Sequence, residues 1–87
     1  MDITKIIEKM KMELPDEIKG IHEYMDMANE AWNIGQKELA EHYREMAKEE
    51  YSHAMCLHRH LKEFGVEIAP EHEKMLHEAK EKIWKKY

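Results

Sequence analysis

The sequence contains few of the residues that end or cross-link secondary structure. Among 87 residues there are three glycines, two prolines and a single cysteine. Folds built from many short strands need more turn residues than this, so β-sandwiches, β-barrels and Rossmann-type folds are excluded. The lone Cys56 excludes an intramolecular disulfide and every Cys-x-x-Cys metal or redox motif.

Long apolar runs and an excess of positive charge are also missing. No apolar stretch approaches the roughly 20 residues of a membrane span, and the first residues lack the basic and apolar layout of a secretory signal. The 14 basic and 19 acidic side chains give a formal net charge of −5, which disfavours binding to a nucleic-acid backbone. We therefore expect a cytoplasmic protein with no membrane and no nucleic acid as partner.

The residues that are abundant favour helices. Charged side chains make up 38% of the chain and hydrophobic ones 43%, and good helix formers such as Glu, Lys, Met, Leu and Ala are common. The sequence therefore predicts an all-α protein with a single domain over residues 1–87. The predicted helices cover residues 15–33, 36–64 and 70–86.

Glycine and proline mark the predicted helix ends. Gly35 follows the first helix and Gly65 the second, as is typical of residues that end helices in a left-handed conformation. Pro70 suits the first turn of the third helix. Pro15 leaves two interpretations of residues 3–12, a short separate helix or the first part of one kinked helix.

The short connection at Gly35 predicts that the first two helices form an antiparallel hairpin over residues 14–64. At 1.5 Å per residue, a helix over residues 36–64 is roughly 43 Å long, whereas a compact globule of this chain length has a radius of gyration of roughly 12 Å. Two long helices do not enclose a core by themselves. We therefore expect the hairpin to bury its apolar face against a partner surface.

Each hairpin helix carries ionisable residues within an otherwise apolar stripe. Alternating steps of four and three residues give the predicted buried face of the second helix: Leu39, Tyr43, Met46, Glu50, His53, Leu57, Leu61 and Phe64. The corresponding face of the first helix is Leu14, Glu17, Ile21, Tyr24, Ala28 and Ala31. Because an unpaired buried carboxylate costs several kcal/mol, these ionisable groups need a compensating charge. A divalent or trivalent metal ion is the simplest one.

Glu17, Glu50 and His53 lie at similar distances from the connection. Glu17 and His53 are equally far from Gly35 along the chain, on opposite sides of it, and Glu50 is one helical turn nearer. Antiparallel helices therefore bring all three to one height within about 5 Å. Taken singly, each residue is more simply explained as a polar group that fixes the register of a helical dimer. Their combination favours a metal site, and the ligand types suit iron, manganese or zinc.

With these residues the chain resembles one half of a ferritin-like di-iron protein of the rubrerythrin and bacterioferritin kind. The spacing along the chain between Glu17 and Glu50 is that of the first helix pair in the family. The other matching elements are Tyr24 seven residues after Glu17, the Gly35 connection, and the segment Glu50-Tyr51-Ser52-His53-Ala54. The resemblance implies that Glu17, Glu50 and His53 bind metal and that Tyr24 hydrogen-bonds a ligand carboxylate.

Ferritin-like bundles hold two metals with a Glu from each of two helices and Glu-x-x-His from each of the other two, and this chain carries half of that set. The resemblance therefore implies a homodimer or higher homo-oligomer, similar in organisation to encapsulated ferritins, that completes a four-helix bundle. It implies two iron ions per dimer, with manganese or zinc as alternatives, and ferroxidase or related oxygen or peroxide chemistry. The sequence identifies no shell protein or redox partner.

Two departures from the family narrow this expectation. Cys56 alone does not make the paired-cysteine iron site of rubrerythrins, and Tyr51 stands where bacterioferritins have a haem-ligating Met. We therefore expect no haem. The alternative from a different functional class is a structural or interaction helical dimer, in which the polar residues fix the register or zinc is purely structural.

Further side chains of metal-binding type are better explained as solvated or packing residues, because they fan around their helices or lie on acidic helix faces. They are Glu23, Asp26 and Glu49 beside the predicted ligands, Met55, Cys56, His58 and His60 in the second helix, and Glu71, His72, Glu73 and His77 in the third.

Overall fold

The structure, a computed structural model, describes residues 2–85 and contains three α-helices with no strand within that range. Helix α1 spans Ile3–Asn33, α2 spans Lys37–Glu63 and α3 spans Pro70–Lys85. The prediction of an all-α chain with three helices is confirmed. The predicted end of the third helix at residue 86 lies outside the described residues.

The first segment is one continuous helix. α1 runs through Pro15, and the side chain of its N-cap Asp2 accepts a hydrogen bond of 3.0 Å from the backbone N–H of Thr4. Of the two interpretations of residues 3–12, the single helix is correct. Met10 and Leu14 are buried in the core beside Pro15, so tertiary packing compensates for the hydrogen bond that proline cannot donate.

Both long helices end in the same glycine motif. Gly35 and Gly65 have φ angles of +83° and +76°, a conformation that glycine adopts without steric cost. The N–H of Gln36 donates to the carbonyl of Ala31 at 2.8 Å, as the second residue after the cap does in a Schellman motif. The predicted connection at Gly35 and the predicted end at Gly65 are both confirmed.

Helix α3 packs against one side of the α1–α2 hairpin and runs antiparallel to α2. His58 of α2 contacts Glu73 near the start of α3, and the Nε–H of Arg44 donates to the carbonyl of Ile83 near its end at 3.0 Å. The other side of the hairpin is not covered by α3. We call that side, which α1 and α2 form together, the open face.

The buried stripe of α2 lies one residue away from the predicted one over most of its length and coincides with it at Leu61. Its buried apolar residues repeat every seven positions: Ala40, Ala47, Ala54 and Leu61. Leu39, His53 and Phe64 are exposed, so the prediction that they are buried is wrong for the single chain. The small alanines let α1 approach closely, and α3 covers the flank that carries Arg44. The predicted stripe is thereby rotated onto the open face.

The molecule is elongated, with dimensions of 51 × 24 × 14 Å and a radius of gyration of 14.6 Å. A compact chain of this length has a radius of gyration of roughly 12 Å. The two long hairpin helices account for the excess. No helix between residues 2 and 85 combines the length and the apolar character needed to cross a bilayer.

Candidate metal centre

Glu17, Glu50 and His53 converge on the open face. Each offers one donor atom, and the three atoms lie within 4.8 Å of one another. Nδ1 of His53 is 3.7 Å from Oε2 of Glu17 and 3.9 Å from Oε1 of Glu50. Among residues 2–85 no other three His, Cys, Asp or Glu side chains come together in this way. The hairpin thus brings together the three residues that the sequence predicts as ligands.

The helical period explains why the cluster faces away from α3. At about 100° per residue, Glu17 lies on the opposite side of α1 from Asp26, whose carboxylate pairs with Lys82 of α3 at 3.2 Å. His53 likewise lies opposite Arg44 on α2. The cluster (Glu17, Glu50 and His53) is therefore a feature of the hairpin alone.

The two carboxylates are set into the hairpin, whereas the imidazole lies at its surface. The side chains of Glu17 and Glu50 are 26% and 27% exposed, and that of His53 is 62% exposed. Glu17 is followed directly by Ile18, which is completely buried and fixes the orientation of this helix turn. His53 has room to change rotamer while the carboxylates are held in place.

Gly20 provides the space into which Glu50 extends. A Cβ atom at Gly20 would lie 3.3 Å from Oε2 of Glu50, closer than side chains normally pack. Glycine inside a helix costs roughly 0.5–1 kcal/mol relative to alanine, so its presence here is explained by the carboxylate beside it. Gly20 is not among the site residues predicted from the sequence. Its one sequence signal is an isolated glycine in a helical pattern, three residues after Glu17.

The two carboxylates lack a hydrogen-bond donor when both are ionised. Oε2 of Glu17 is buried without a hydrogen-bond partner, and an ionised carboxylate beside it cannot donate one, because a carboxylate only accepts hydrogen bonds. A hydrogen bond with Glu17, together with burial and the negative charge of Glu17, raises the pKa of Glu50 from 4.5 to about 7, and the nearby His53 partly offsets this shift. Either a proton or a cation between the two carboxylates satisfies them.

Tyr24 lies beside the cluster but contacts a different side chain. Its ring stacks on Tyr43 of α2 with centroids 6.3 Å apart and planes at 22°. Along α1, Tyr24 is about 10 Å from Glu17. Within residues 2–85 the structure has no hydrogen bond from the Tyr24 hydroxyl to Glu17 or Glu50, so its role toward a ligand carboxylate stays a prediction.

Several of the other side chains of metal-binding type have partners elsewhere. Asp26 pairs with Lys82 at 3.2 Å and Glu23 with Lys19 at 3.9 Å. These and the remaining pairs are spread over separate parts of the surface. The remaining pairs are His58 with Glu73, His60 with Cys56, and His77 with Glu81.

The cluster fits a first-row divalent metal by donor type and by distance. Two carboxylates and one imidazole suit iron, manganese or zinc. Bonds of about 2.0–2.2 Å separate two ligand atoms of one metal by at most about 4.4 Å, and both imidazole–carboxylate distances, 3.7 and 3.9 Å, are shorter than this. The buried oxygen of Glu17 that has no hydrogen-bond partner is a further sign of a missing positive group.

No known protein family, curated protein or solved structure matches this chain significantly. A function can therefore be inferred only from the residues of the chain and their geometry.

Proposed function

We propose that this chain binds ferrous iron at Glu17, Glu50 and His53, and that two copies combine their clusters into a two-iron centre that oxidises the iron. The observation that carries the proposal is the cluster itself, in which three donor atoms lie within 4.8 Å on the open face. Its buried Glu17 oxygen has no hydrogen-bond partner within the described chain. A cation at this position supplies what the cluster lacks.

The donor set gives each residue a role. Glu50 extends beside Gly20 with one oxygen and has the other 3.9 Å from Nδ1 of His53, which suits a bridging or chelating carboxylate. Glu17 is a terminal or bridging ligand, and His53, the most exposed of the three, is the terminal imidazole. Anionic oxygen ligands stabilise ferric over ferrous iron, so the cluster favours oxidation of its bound ion.

A single chain supplies two carboxylates and one imidazole, half of the set found in ferritin-like centres. Two chains supply four carboxylates, whose negative charge balances two divalent ions. The open face supports this pairing, because apolar side chains that include Leu39 and Phe64 are exposed there, 42% and 50% respectively. Association would bury them together with the cluster.

Iron is the substrate of the proposed reaction. Dioxygen takes up one electron from each of two ferrous ions and two protons from water, and leaves as hydrogen peroxide. The residues of the chain hold the two ions at one place and provide the negative charge that favours their ferric state. Glu50, with its pKa raised to about 7 in the metal-free chain, releases its proton when a cation takes the place of that proton.

The test is anaerobic titration with ferrous iron followed by air. We expect two ions per dimer, consumption of oxygen and a ferric absorbance band. Glu50→Ala is expected to abolish all three, whereas Glu49→Ala, which alters the exposed neighbouring carboxylate, is expected to leave them unchanged. Iron that binds without oxygen consumption would contradict the oxidase function while leaving the metal site in place.

A second candidate is a helical dimer in which the cluster fixes the register without redox chemistry. It is favoured by the position of His53, whose Nδ1 lies 3.7 and 3.9 Å from the two carboxylates. A protonated imidazole or a structural zinc ion serves equally well there as the positive group. Dimerisation that is unaffected by iron and manganese, with no oxygen consumption, would support this candidate over the first.

A further inference from the structure

The α2 side chains on the open face follow the same pattern in both chain directions. Leu39 precedes Glu50 by as many positions as Phe64 follows His53. Met46 and Leu57 lie four residues outside the same two ligands. From either end of α2 the order is therefore two apolar residues followed by a ligand. The two halves are related by reversal about the point between Tyr51 and Ser52.

We propose that a second copy of this chain docks on the open face with its α2 antiparallel, about a twofold axis that crosses α2 between Tyr51 and Ser52. In a twofold interface, residue i contacts residue j and residue j contacts residue i. Leu39 then packs on the partner's Phe64, and Met46 on the partner's Leu57. This inference rests on the proposed function, because the axis passes through the metal-binding cluster.

The same axis fits α1 as well as α2. Ile18 and Ser52 are equally far from Gly35 along the chain, and so are Lys19 and Tyr51. Because the two helices are antiparallel and rise equally per residue, the axis crosses both at one height. On α1 it relates Glu17 to Gly20, the residue beside which Glu50 of the same chain extends. One docking geometry therefore satisfies both helices of the hairpin.

Charge decides between the two directions in which a second α2 can run. With the copies antiparallel, Glu50 faces the partner's His53, so a carboxylate meets an imidazole rather than a second carboxylate. With the copies parallel, Glu50 faces the same carboxylate of the second copy, close to the Glu17 carboxylate of its own chain, whose buried oxygen has no hydrogen-bond partner. Like charges across an interface oppose association. The antiparallel direction is favoured.

The apolar side chains also match at the two ends of the hairpin. Near the hairpin tip, Met27, Ala31, Ile34, Leu39 and Tyr43 contribute to the lining of a groove. At the opposite end, Phe64 and Ile6 are exposed. Phe64 is eleven residues from His53 and Ile6 eleven from Glu17, about three helical turns, so both lie on the open face. Leu39 and Phe64 each lie about 19 Å along the helix from the axis. The twofold rotation therefore brings the partner's Phe64 and the partner's Ile6 to the groove.

Engineered disulfides test the register directly. In a Cys56→Ser background, we compare Leu39→Cys with Phe64→Cys, the matched pair, and Leu39→Cys with Leu57→Cys, which is displaced by two helical turns or about 10 Å. Manganese(II) is added as the metal, and circular dichroism verifies that each variant is helical. Positions 39 and 64 are about 38 Å apart in one chain, so any disulfide between them joins two chains.

We expect the matched pair to form a covalent dimer at least about tenfold faster than the displaced pair, since a disulfide needs Cα atoms within about 7 Å. Equal rates for the two pairs, or a faster displaced pair, would overturn the register. Bound manganese in a chain that stays monomeric would also overturn the docking but not the ligand set. A matched covalent dimer that binds no metal supports the docking and overturns the proposed function.

Introducing charged side chains at the two positions gives a second test, which measures the dissociation constant of the dimer and needs no disulfide formation. Leu39→Glu and Phe64→Lys are each expected to raise the dissociation constant of the dimer at least about tenfold, and the combined variant is expected to recover it, because the two new charges meet across the interface. Met55→Glu is the matched control, since Met55 is similarly exposed, 39%, but lies off the open face. Equal weakening by the control, or no recovery in the combined variant, would overturn the proposal.

Discussion

The two sides of the α1–α2 hairpin differ in how their buried polar groups are satisfied. On the side that α3 covers, Arg44 donates to the carbonyl of Ile83 and His22 contacts the carbonyl of Met75, both at 3.0 Å. On the open face, Oε2 of Glu17 is buried and has no hydrogen-bond partner. Among the described side chains it is the one buried polar atom without a hydrogen bond.

This difference indicates where the missing partner comes from. Buried polar groups in folded proteins are almost always hydrogen-bonded, and α3 provides such partners on its own side. Nothing between residues 2 and 85 does so for Glu17. A proton, a metal ion or a second chain is therefore required on the open face. The predictions below separate these contributions, beginning with the largest expected effect.

Removing a ligand should affect the open face alone. Glu50→Ala is expected to weaken binding of manganese(II) at least about 100-fold, because even residues that only support a ligand change metal affinity by about 10–100-fold. Isothermal titration calorimetry measures the effect. The thermal stability of the metal-free variant should be equal to or greater than that of the parent, since the repulsion between Glu50 and Glu17 disappears. Unchanged manganese affinity would contradict the assignment of Glu50 as a ligand.

Removing a hydrogen-bond donor on the covered side should lower the stability of the protein and leave its metal affinity unchanged. Arg44→Met keeps much of the length of the side chain but leaves the carbonyl of Ile83 without its donor. This carbonyl lies in the last turn of α3 that the structure describes. We expect a loss of about 1–3 kcal/mol in the free energy of unfolding and no change in metal affinity. Chemical denaturation measures the first quantity.

Arg44→Lys provides the matched control for this substitution. Lysine retains a positive donor but not the fixed geometry of the guanidinium group, so we expect it to restore part of the lost stability. An Arg44→Met variant as stable as the parent would show that α3 docks without this hydrogen bond.

The pH dependence should separate the metal-free from the metal-bound protein. The pKa of Glu50 is raised from 4.5 to about 7 by Glu17 and by burial, so between these values the folded chain holds a proton that the unfolded chain has released. Stability of the metal-free protein therefore falls as pH rises through this window, by about 1–2 kcal/mol. Thermal melts from pH 5 to 8 test this, and Glu50→Gln should flatten the slope.

With manganese bound, the pH dependence of stability should have the opposite sign, so that stability falls as the pH is lowered. Protons compete with the metal for the carboxylates and the imidazole, so lowering the pH expels the metal and removes its contribution to stability. A metal-free protein whose stability rises with pH over the same window would show that Glu17 and Glu50 do not share a proton.

Features that depend on local geometry were predictable from the sequence. The helix ends at Gly35 and Gly65 were predictable because a residue with positive φ commonly ends a helix and glycine adopts that conformation most readily. The convergence of Glu17, Glu50 and His53 follows from counting along two helices from one turn, because helical rise is constant. Neither inference needs knowledge of what else packs on the hairpin.

Features set by α3 were not predictable in the same way. Two overlapping stripes of α2 fit a helical period, one through Leu39 and one through Ala40, and the larger apolar residues favour the wrong one for the single chain. The choice depends on which flank α3 covers, a contact far away in sequence. Gly20 was missed for a similar reason, since its role depends on where the Glu50 side chain extends across the hairpin.

The smallest predicted effect concerns Gly20. An alanine in a helix is more favourable than glycine by about 0.5–1 kcal/mol, but its Cβ would lie 3.3 Å from Oε2 of Glu50 and displace the carboxylate by a few tenths of an ångström. We expect these effects to cancel to within about 0.5 kcal/mol in the free energy of unfolding. Manganese affinity should nevertheless fall severalfold, because the ligand geometry is disturbed.

A double-mutant cycle isolates the contact between Gly20 and Glu50. In the Glu50→Ala background the crowding is gone, so Gly20→Ala should there stabilise the protein by the full helical preference of about 0.5–1 kcal/mol. The difference between the two backgrounds is the energy of the close approach. If Gly20→Ala stabilises both backgrounds equally, Glu50 moves aside without cost, and the glycine does not position it. If it stabilises only the Glu50→Ala chain, the open face keeps a helix-weakening glycine to accommodate a carboxylate whose partner lies outside the chain.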